Sequence, residues 1–397
     1  MTRVVVTGLG CATALGFGPD DHIPALKAGR SAQAPITRFD TAGFKTSTGG
    51  QCDEARLEGL LLERFPARAL ARLDVDTRLL LWATSEALGD LRVEGMPALL
   101  GTTLEGIWQG EQWYAEGLKR GTSKARPRRL LQATSGGQFA TLAELLGMSI
   151  EPLCVSNACA TGVSAIGRLY RRIRRGACEA GLAGGYDTLG RFIHLGFDSL
   201  GALTSKVCAP FDKNRSGFFI GDGAAVLLLE SLESARRRKS RILAELVGYG
   251  ESVDSHHATH PDPEGRGLTR AIRQAVEGVE GEIDYINAHG TATPANDAAE
   301  SKGILAALGD RKIPTSSTKA LVGHTLGAAG AVEQAFCVWA LERGFRPVQA
   351  NLSEQDPACP LTLVRDPAGA PTLAMNTSLG FGGANAVLLA RRWEDVG

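Results

Sequence analysis

One cysteine stands where a thiol could act as a nucleophile. In residues 152–167, a short apolar run leads into Asn157-Ala158-Cys159, and a stretch of small residues typical of a buried helix follows. A thiol at the N-terminal end of a helix meets unpaired N–H groups and the positive end of the helix dipole, which should lower its pKa. Cysteines are more often inert and buried, so this segment alone supports both interpretations about equally.

Three further motifs place candidate residues directly after predicted strands. His289 ends a predicted strand in INAHGTATP, and Lys319 and His324 occupy the turn in SSTKALVGHTLGAAG. Near the C-terminus, Phe381 lies between glycines in NTSLGFGGAN. Loops at strand ends are where α/β proteins place working residues. One cysteine, two histidines and one lysine on separate loops would suit chemistry on a thioester.

The elements that must position these residues alternate between β-rich and helical segments, which indicates an α/β fold. Strands are predicted at residues 3–7, 99–102, 152–156, 180–184, 224–230, 242–248, 283–288 and 313–317, and helices at 21–28, 77–88, from 231 onward, 268–276 and 327–341. A strand opens directly after the basic run at residues 236–241. We therefore predict two halves, residues 1–240 with the nucleophile and residues 241–397 with both histidines.

The composition is that of a globular protein. Its 397 residues include 43 basic and 43 acidic side chains, a balance that argues against a nucleic-acid partner. No apolar run reaches the length needed to span a bilayer, and no signal peptide is recognisable. The eight cysteines form no C-x-x-C pair, which favours a reducing compartment. We expect a cytoplasmic protein without a membrane span.

The motifs together resemble the β-ketoacyl-[acyl carrier protein] synthases of the elongating Cys-His-His type, within the thiolase-like condensing enzymes. NACATG, PFDKNRSGFFIGDGAA, NAHGTATPANDAAE and SSTKALVGHTLGAAGA occur in the family's order, and the resemblance runs from VVVTGLG to GFGGANAVLL. It implies an α/β fold with a duplicated βαβαβαββ unit and a five-layered α-β-α-β-α core, in a protein that is usually dimeric.

The resemblance also implies roles for the candidate residues. Cys159 would be the acylated nucleophile. His289 and His324 would be the pair that acts in malonyl decarboxylation. Lys319 would hold the second histidine in register, and Glu333 would be the buried carboxylate of the same network.

A second group of roles concerns substrate binding. The backbone N–H groups of Cys159 and Phe381 would form the oxyanion hole, and the ring of Phe381 would be a gate for the second substrate. Thr291 and Thr293 would bind the phosphopantetheine arm. Leu104 would line the acyl pocket, where its side chain would limit the length of the bound chain.

The implied reaction is a decarboxylative Claisen condensation of an acyl group on Cys159 with malonyl-acyl carrier protein, giving 3-oxoacyl-acyl carrier protein. No permanently bound cofactor is implied, because the substrates are carried on the phosphopantetheine of acyl carrier protein. The implied partners are this carrier and a second subunit, in a homodimer or in a heterodimer with a related ketosynthase-like chain. Two basic clusters are solvated faces or docking sites for the acidic carrier: Arg120, Lys124, Arg126, Arg128 and Arg129, and residues 171–175.

Other interpretations are weaker. A non-catalytic chain-length subunit of a heterodimeric synthase would have lost the nucleophile, whereas Cys159 and both histidines are present. A thiolase would need a second reactive cysteine near the C-terminal glycines, but the last cysteine is Cys359. His256, His257 and His260 suggest a metal, yet no nearby cysteine completes a tetrahedral set, so we predict none.

The pathway stays open at this stage. GTTLEG, at residues 101–106, stands where fatty-acid elongases have a glycine-richer run, and Tyr186-Asp187 replaces a small residue and a glutamate. Fatty-acid, polyketide and aryl-polyene biosynthesis all fit the motifs.

Overall fold

The computed structural model describes residues 2–394, in which a twelve-stranded sheet carries helices on both faces. The strands are β1 Val4–Thr13, β2 Gly16–Phe17, β3 Ala34–Pro35, β4 Thr48–Gly49, β5 Met96–Gly101, β6 Ile150–Val155, β7 Ala180–Asp187, β8 Gly223–Ser231, β9 Ala244–Val253, β10 Tyr285–Asn287, β11 Pro314–Ser316, β12 Thr362–Leu363, β13 Leu373–Gly380 and β14 Ala384–Arg392. The helices are α1 Pro19–Ala28, α2 Glu54–Leu62, α3 Ala67–Leu70, α4 Val75–Leu88, α5 Ile107–Arg120, α6 Pro127–Gln132, α7 Ser135–Leu146, α8 Thr161–Arg174, α9 Arg191–Ser199, α10 Leu232–Arg237, α11 Arg266–Val276, α12 Pro294–Leu308, α13 Lys319–Val322 and α14 Ala329–Arg343.

The sheet repeats one strand pattern twice. From β1, the order β1-β8-β7-β5-β6 has two antiparallel pairs followed by two parallel pairs. From β9, the order β9-β14-β13-β10-β11 has the same sequence of antiparallel and parallel pairs. The two patterns meet where β1 pairs with β9 over three residues. This repeat is the duplication that the resemblance implies.

Helices complete a five-layered α-β-α-β-α arrangement. Helices α8 and α14 pack against each other between the two halves, α4 covers β1 and β8, and α11 covers β9 and β14. A Cβ atom at Gly162 of α8 would lie 2.5 Å from the backbone nitrogen of Ala331 in α14. Only glycine allows this approach, which brings the N-terminal ends of the two central helices together.

One strand differs from its prediction. Residues 152–156 are predicted as a buried strand, but in β6 residues 151–153 are exposed, and Leu153 retains 50% of its accessible surface. Within residues 2–394, β6 pairs only with β5, so it is the edge of the sheet. Apolar content alone does not distinguish an edge strand from a central one.

Candidate active site

Cys159 lies in the turn between β6 and α8, as predicted. The residue before it, Ala158, has a φ of 46°, a left-handed conformation that non-glycine residues seldom adopt. The hydroxyl of Thr161 fixes this turn because it donates to the carbonyl of Ala158 (2.6 Å) and accepts from the N–H of Asn157 (2.7 Å). The first turn of α8 thus holds the cysteine backbone in a strained but defined position.

The thiol environment differs from the predicted one. Burial raises the pKa of Cys159 to about 11, although the ammonium of Lys319 and the backbone N–H of Phe381 act in the opposite direction. The expected lowering of the pKa is therefore wrong, because enclosure in the protein outweighs the nearby positive groups. The Cys159 thiol is therefore protonated in the free protein at neutral pH.

Two histidines face each other at the same site. The rings of His289 and His324 have centroids 5.4 Å apart and are nearly perpendicular, at 84°. The backbone N–H of His289 donates to the carboxylate of Glu300 (2.7 Å), and the backbone N–H of His324 donates to the carbonyl of Phe219 (2.8 Å). Burial, and then the charge of Lys319, lowers the pKa of both imidazoles well below the ordinary value. Both rings are therefore neutral at physiological pH.

The hydrogen bonds of these rings define where their protons lie. Nδ1 of His324 accepts from the N–H of Leu326 (3.2 Å), and Nδ1 of His289 lies 3.1 Å from the ammonium of Lys319. A nitrogen that accepts from such donors carries no proton of its own, so each neutral ring is protonated on Nε2. The site therefore offers two imidazole N–H donors.

Lys319 contacts the first histidine rather than the second, which corrects the expectation that it holds His324. Its Nζ donates to the carbonyl of His289 (2.6 Å) and to the carboxylate of Glu333. The reason is topological: β11 is parallel to β10, so the residues after the two strands lie side by side. Burial raises the pKa of Glu333 to about 7, and the Lys319 ammonium opposes this increase.

These residues share one cavity of about 340 Å³. Its lining includes Cys159, Phe197, Phe218, His260, His289, Thr291, Thr293, His324 and Phe381. The hydroxyls of Thr291 and Thr293 lie 2.9 Å apart. Phe381 is 39% exposed, and the centroid of its ring is 5.8 Å from that of Phe197. Sequence analysis assigned no role to Phe197 or Phe218, although Phe218 lies in one of the motifs, and it considered His260 only as a metal ligand.

The backbone beside the nucleophile is closely packed. A Cβ atom at Gly380 would lie 3.1 Å from the backbone nitrogen of Cys159, so the glycine lets the end of β13 approach the cysteine. Phe381 follows directly, which brings its N–H to the sulfur.

Leu104 lies outside this cavity and lines a neighbouring one of about 270 Å³. Its loop is fixed by the buried carboxylate of Asp187, which accepts from the hydroxyls of Thr102 and Thr103 (both 2.6 Å) and from the N–H of Leu104 (3.1 Å). The same carboxylate accepts from the N–H of Gly327 (2.7 Å), just after the second histidine. Asp187 thus joins the loop of Leu104 to the histidine loop.

The His256–His260 segment forms hydrogen bonds of its own. Nδ1 of His257 accepts from the N–H groups of Thr259 (3.1 Å) and His260 (3.3 Å). Across residues 2–394, no group of three or more histidine, cysteine, aspartate or glutamate side chains could hold a metal ion. No helix in that range has the length and apolar character to cross a membrane.

The duplicated fold, with a cysteine and two histidines in one cavity, defines a thiolase-like condensing enzyme. The family model "Beta-ketoacyl synthase, N-terminal domain" matches residues 1–235, and "Beta-ketoacyl synthase, C-terminal domain" matches residues 243–353. The chain belongs to the β-ketoacyl synthase family, and it is an acyltransferase of the condensing type.

Similar proteins span nearly the whole chain. It is 35% identical to 3-oxoacyl-[acyl-carrier-protein] synthase 2 of Synechocystis sp., over 99% of this chain and 98% of the relative. The ishigamide ketosynthase/chain length factor structure has a TM-score of 0.90 at 36% identity, covering 99% of this chain and 100% of the other. The structure of a type II PKS acyl-carrier protein in complex with its ketosynthase bound to the hexaketide has a TM-score of 0.87 at 27% identity. The match covers 99% of this chain and 100% of the other.

Proposed function

We propose that this protein condenses an acyl group held on Cys159 with malonyl-acyl carrier protein, releasing carbon dioxide and 3-oxoacyl-acyl carrier protein. The observation that carries the proposal is the single cavity lined by Cys159, His289 and His324. A thiol can hold an acyl group as a thioester, and paired N–H donors can stabilise the anion that forms on decarboxylation.

In the first half-reaction, the sulfur of Cys159 attacks the thioester carbonyl of the acyl donor. The bond from the acyl carbon to the phosphopantetheine sulfur breaks, and the proton of Cys159 leaves with the released carrier thiol. The backbone N–H groups of Cys159 and Phe381 are proposed to bind the intermediate oxyanion. The proximity of the Phe381 N–H to the sulfur supports this role.

In the second half-reaction, the malonyl thioester loses carbon dioxide, and its bonding electrons form an enolate. We assign the two Nε2–H donors of His289 and His324 to the enolate oxygen, because each Nδ1 already accepts a hydrogen bond. The enolate carbon then attacks the Cys159 thioester and expels the thiolate, which takes up a proton from solvent to restore the thiol. Thr291 and Thr293 are proposed to bind the phosphopantetheine arm.

The carrier protein is proposed to dock on the basic cluster around α5 and α6. Arg120 and Arg126 lie within 3.8 Å of Glu116 but keep most of their surface exposed. In the second cluster, the guanidinium of Arg171 forms a salt bridge with the Glu251 carboxylate at 3.2 Å. It also lies over the Tyr249 ring, 4.5 Å from the ring centroid. The first cluster is therefore better able to receive an acidic partner.

A non-catalytic chain-length subunit is the alternative function, and the names of the similar structures include such factors. The complete set of Cys159, both histidines and Lys319 favours the catalytic interpretation. The chain is 35% identical to the relative named 3-oxoacyl-[acyl-carrier-protein] synthase 2, 36% identical to the ishigamide ketosynthase/chain length factor and 27% identical to the type II PKS ketosynthase. These likenesses support fatty-acid and polyketide biosynthesis alike, and the proposal covers both.

One experiment distinguishes a catalytic ketosynthase from a non-catalytic chain-length subunit. The purified protein is incubated with a panel of acyl-acyl carrier proteins, and intact-protein mass is measured, followed by carbon dioxide release from malonyl-acyl carrier protein. We expect an acyl adduct on the native protein and on Cys178→Ala, which removes a half-buried thiol elsewhere, but none on Cys159→Ala. A native protein that accepts no acyl group and releases no carbon dioxide would support the chain-length subunit.

A further inference from the structure

The loop between β10 and α12 carries two threonine hydroxyls of the cavity, and its backbone has an uncommon shape. Ala292 lies between Thr291 and Thr293 with a φ of 58°, a left-handed conformation that non-glycine residues seldom adopt. Both threonines line the cavity of Cys159, where their hydroxyls lie 2.9 Å apart. A turn of this kind persists only where neighbouring groups hold it. The contacts that hold the loop therefore determine where the two hydroxyls point.

Three consecutive carbonyls of this loop bind one neighbouring segment. The carbonyl of Ala292 accepts from the backbone N–H of Gly217 (2.8 Å). The carbonyl of Thr293 accepts from Nε of Arg215 (3.4 Å), and the carbonyl of Pro294 accepts from Nη2 of the same guanidinium (2.9 Å). Arg215 and Gly217 belong to the motif PFDKNRSGFFIGDGAA, and neither takes part in the reaction steps proposed above.

The guanidinium of Arg215 is itself held on several sides. Only 4% of its side chain is exposed. Its Nη1 donates to the carboxylate of Asp356 (2.5 Å) and to the carbonyl of Asp212 (2.9 Å). Its Nε lies 3.6 Å from the carboxylate of Asp297. A buried charge needs such partners, because an unpaired one is costly. The two carboxylates thus neutralise and orient the arginine, while Nε and Nη2 donate to the loop.

This set of contacts suits an arginine and not a lysine. The three nitrogens of one planar group donate to three backbone carbonyls, those of residues 212, 293 and 294, and to one carboxylate. A lysine ammonium is a single point charge on a flexible stem, so it cannot reach these separated acceptors at once. Lysine at position 215 would therefore keep the charge and lose part of the hold on the loop.

We propose that Arg215 is a positioning residue for the phosphopantetheine arm, which it affects by fixing the backbone that carries Thr291 and Thr293. Arg215 does not line the cavity of Cys159, so it acts on the arm only through the loop. This inference rests on the proposed function, in which the two threonines bind the arm. It adds a residue that sets the affinity of the site for the arm and takes no part in making or breaking bonds.

The test compares two thioesters of the same acyl group. The pantetheine thioester has amide and hydroxyl groups that the threonines can bind, whereas the ethanethiol thioester has none. Acylation of Cys159 is followed by intact-protein mass, which requires no cognate carrier protein. The pantetheine thioester gives a half-saturating concentration and a maximal rate, and the ethanethiol thioester gives a reference rate for chemistry at Cys159.

Arg215→Lys should raise the half-saturating concentration of the pantetheine thioester about 5- to 10-fold, in line with one or two net neutral hydrogen bonds. The maximal rate and the reference rate should stay within about twofold, because a loss of uniform binding changes half-saturation alone. Equal slowing with both thioesters would indicate a general disturbance of the fold and overturn the positioning role.

Arg392→Lys is the matched control. Arg392 also donates to two backbone carbonyls, those of Leu341 (2.9 Å) and Pro371 (2.5 Å), but it lies outside the lining of the cavity. We expect this variant to leave the half-saturating concentration unchanged. A rise equal to that of Arg215→Lys would show that the effect is not specific to the loop and overturn the inference.

A double-variant comparison shows whether the arginine acts through the threonines. Thr291→Val combined with Thr293→Val removes both hydroxyls and should raise the half-saturating concentration by a similar factor. Arg215→Lys added to this pair should cause no further rise, because changes that act on one contact are not additive. An additive effect would show that Arg215 influences the arm by another route and overturn the inference.

Asp356→Asn decides the matter if Arg215→Lys does not fold in a thermal unfolding scan. The Asp356 side chain is 21% exposed, and its replacement weakens the hold on the guanidinium while Asp297 remains as a partner. It should raise the same half-saturating concentration by a smaller factor and leave the reference rate unchanged. No change in half-saturation would overturn the role of Arg215.

The outcomes for the proposed function are distinct. If the threonine pair alters half-saturation but Arg215→Lys does not, only the role of Arg215 is wrong. If neither alters it while Cys159 is still acylated, the threonines do not bind the arm and both assignments fail. If no thioester acylates Cys159, the condensation reaction is wrong and the inference fails with it.

Discussion

Among single residues, Lys319 has the clearest effect on its neighbours. Its ammonium is the second cause, after burial, of the lowered pKa of His289. Decarboxylation needs the neutral ring, so a lowered pKa keeps the site active as pH falls through 6.5. Lys319→Met should raise the pKa of His289 and shift the acid limb of carbon dioxide release to higher pH, by about 1 unit or more.

The measurement is the pH profile of malonyl decarboxylation, with Lys312→Met as the control because Lys312 is exposed after α12. A second variant, Lys319→Met with Glu333→Gln, avoids leaving a buried carboxylate without its partner. An acid limb that stays in place in both Lys319 variants would show that the ammonium does not keep His289 neutral.

Leu104 gives a second prediction at this scale. Its side chain belongs to an apolar cluster with Phe197, which lines the cavity of Cys159, and Leu189, which lines the second, neighbouring cavity. Leu104→Ala should therefore join the two cavities and favour longer acyl chains. Overpacking costs of about 1–3 kcal/mol correspond to roughly 5- to 150-fold in the relative rate of acylation by a longer chain. Acylation across chain lengths is the measurement, with the exposed Leu118→Ala as control. An unchanged length profile would mean that Leu104 does not obstruct the chain.

The residue types of the site were predictable from the sequence, but their electrostatics and pairings were not. Cys159 and His289 follow strands β6 and β10 as predicted, whereas the short helix α13 lies between β11 and His324. The sign of the Cys159 pKa shift depends on enclosure by side chains from distant segments. The partner of Lys319 depends on the parallel pairing of β10 with β11, which the sequence does not specify.

Among the elements, the loop after β5 and the loop after β11 depend on one carboxylate. Asp187 is buried at the end of β7 and accepts hydrogen bonds from both loops. Asp187→Asn replaces an acceptor with an amide N–H that would face existing N–H donors. We expect a loss of about 2–3 kcal/mol in the free energy of unfolding. We also expect slower acylation and slower decarboxylation. The loop after β5 carries Leu104, which lines the second cavity, and the loop after β11 leads to His324, which lines the cavity of Cys159.

Denaturant unfolding and the two half-reactions test this, with the exposed Asp310→Asn as control. Asp187→Glu separates position from charge, because it keeps the carboxylate but moves it by one methylene. If Asp187→Asn were as stable and as active as the native protein, the carboxylate would not hold the loops together.

Most helices and strands could be predicted from apolar runs and helical periodicity. Which elements lie next to each other in the sheet could not be predicted. The predicted strands at residues 180–184 and 224–230 correspond to β7 and β8, and residues 77–88 to α4. The exposure of β6 was missed because its apolar residues look the same at an edge as in the middle of a sheet. The boundary near residue 240 stays a prediction.

For the whole molecule, duplication explains how the site is assembled. Cys159 follows β6, and Lys319 and His324 follow β11, which is the strand at the corresponding place in the second half. Helices α8 and α14 begin near these residues and pack together at the centre. The pseudosymmetric halves therefore place the nucleophile and the histidines at one junction, although they are far apart in sequence.

The exposed edge of β6 leads to the last prediction, that the chain assembles with a second copy or a related chain through this strand. An unpaired edge with Leu153 half exposed is a template for another strand, and a charged side chain there prevents pairing. Leu153→Lys should therefore convert a particle of about twice 41.8 kDa into a monomer, whereas Leu62→Lys, at another exposed leucine, should not. Analytical ultracentrifugation measures this directly. A native chain that sediments as a monomer on its own, but as a dimer with a related ketosynthase-like chain, would select the heterodimer. An unaltered dimer in Leu153→Lys would show that assembly uses another surface, because a buried lysine on a paired edge would leave its charge without a partner.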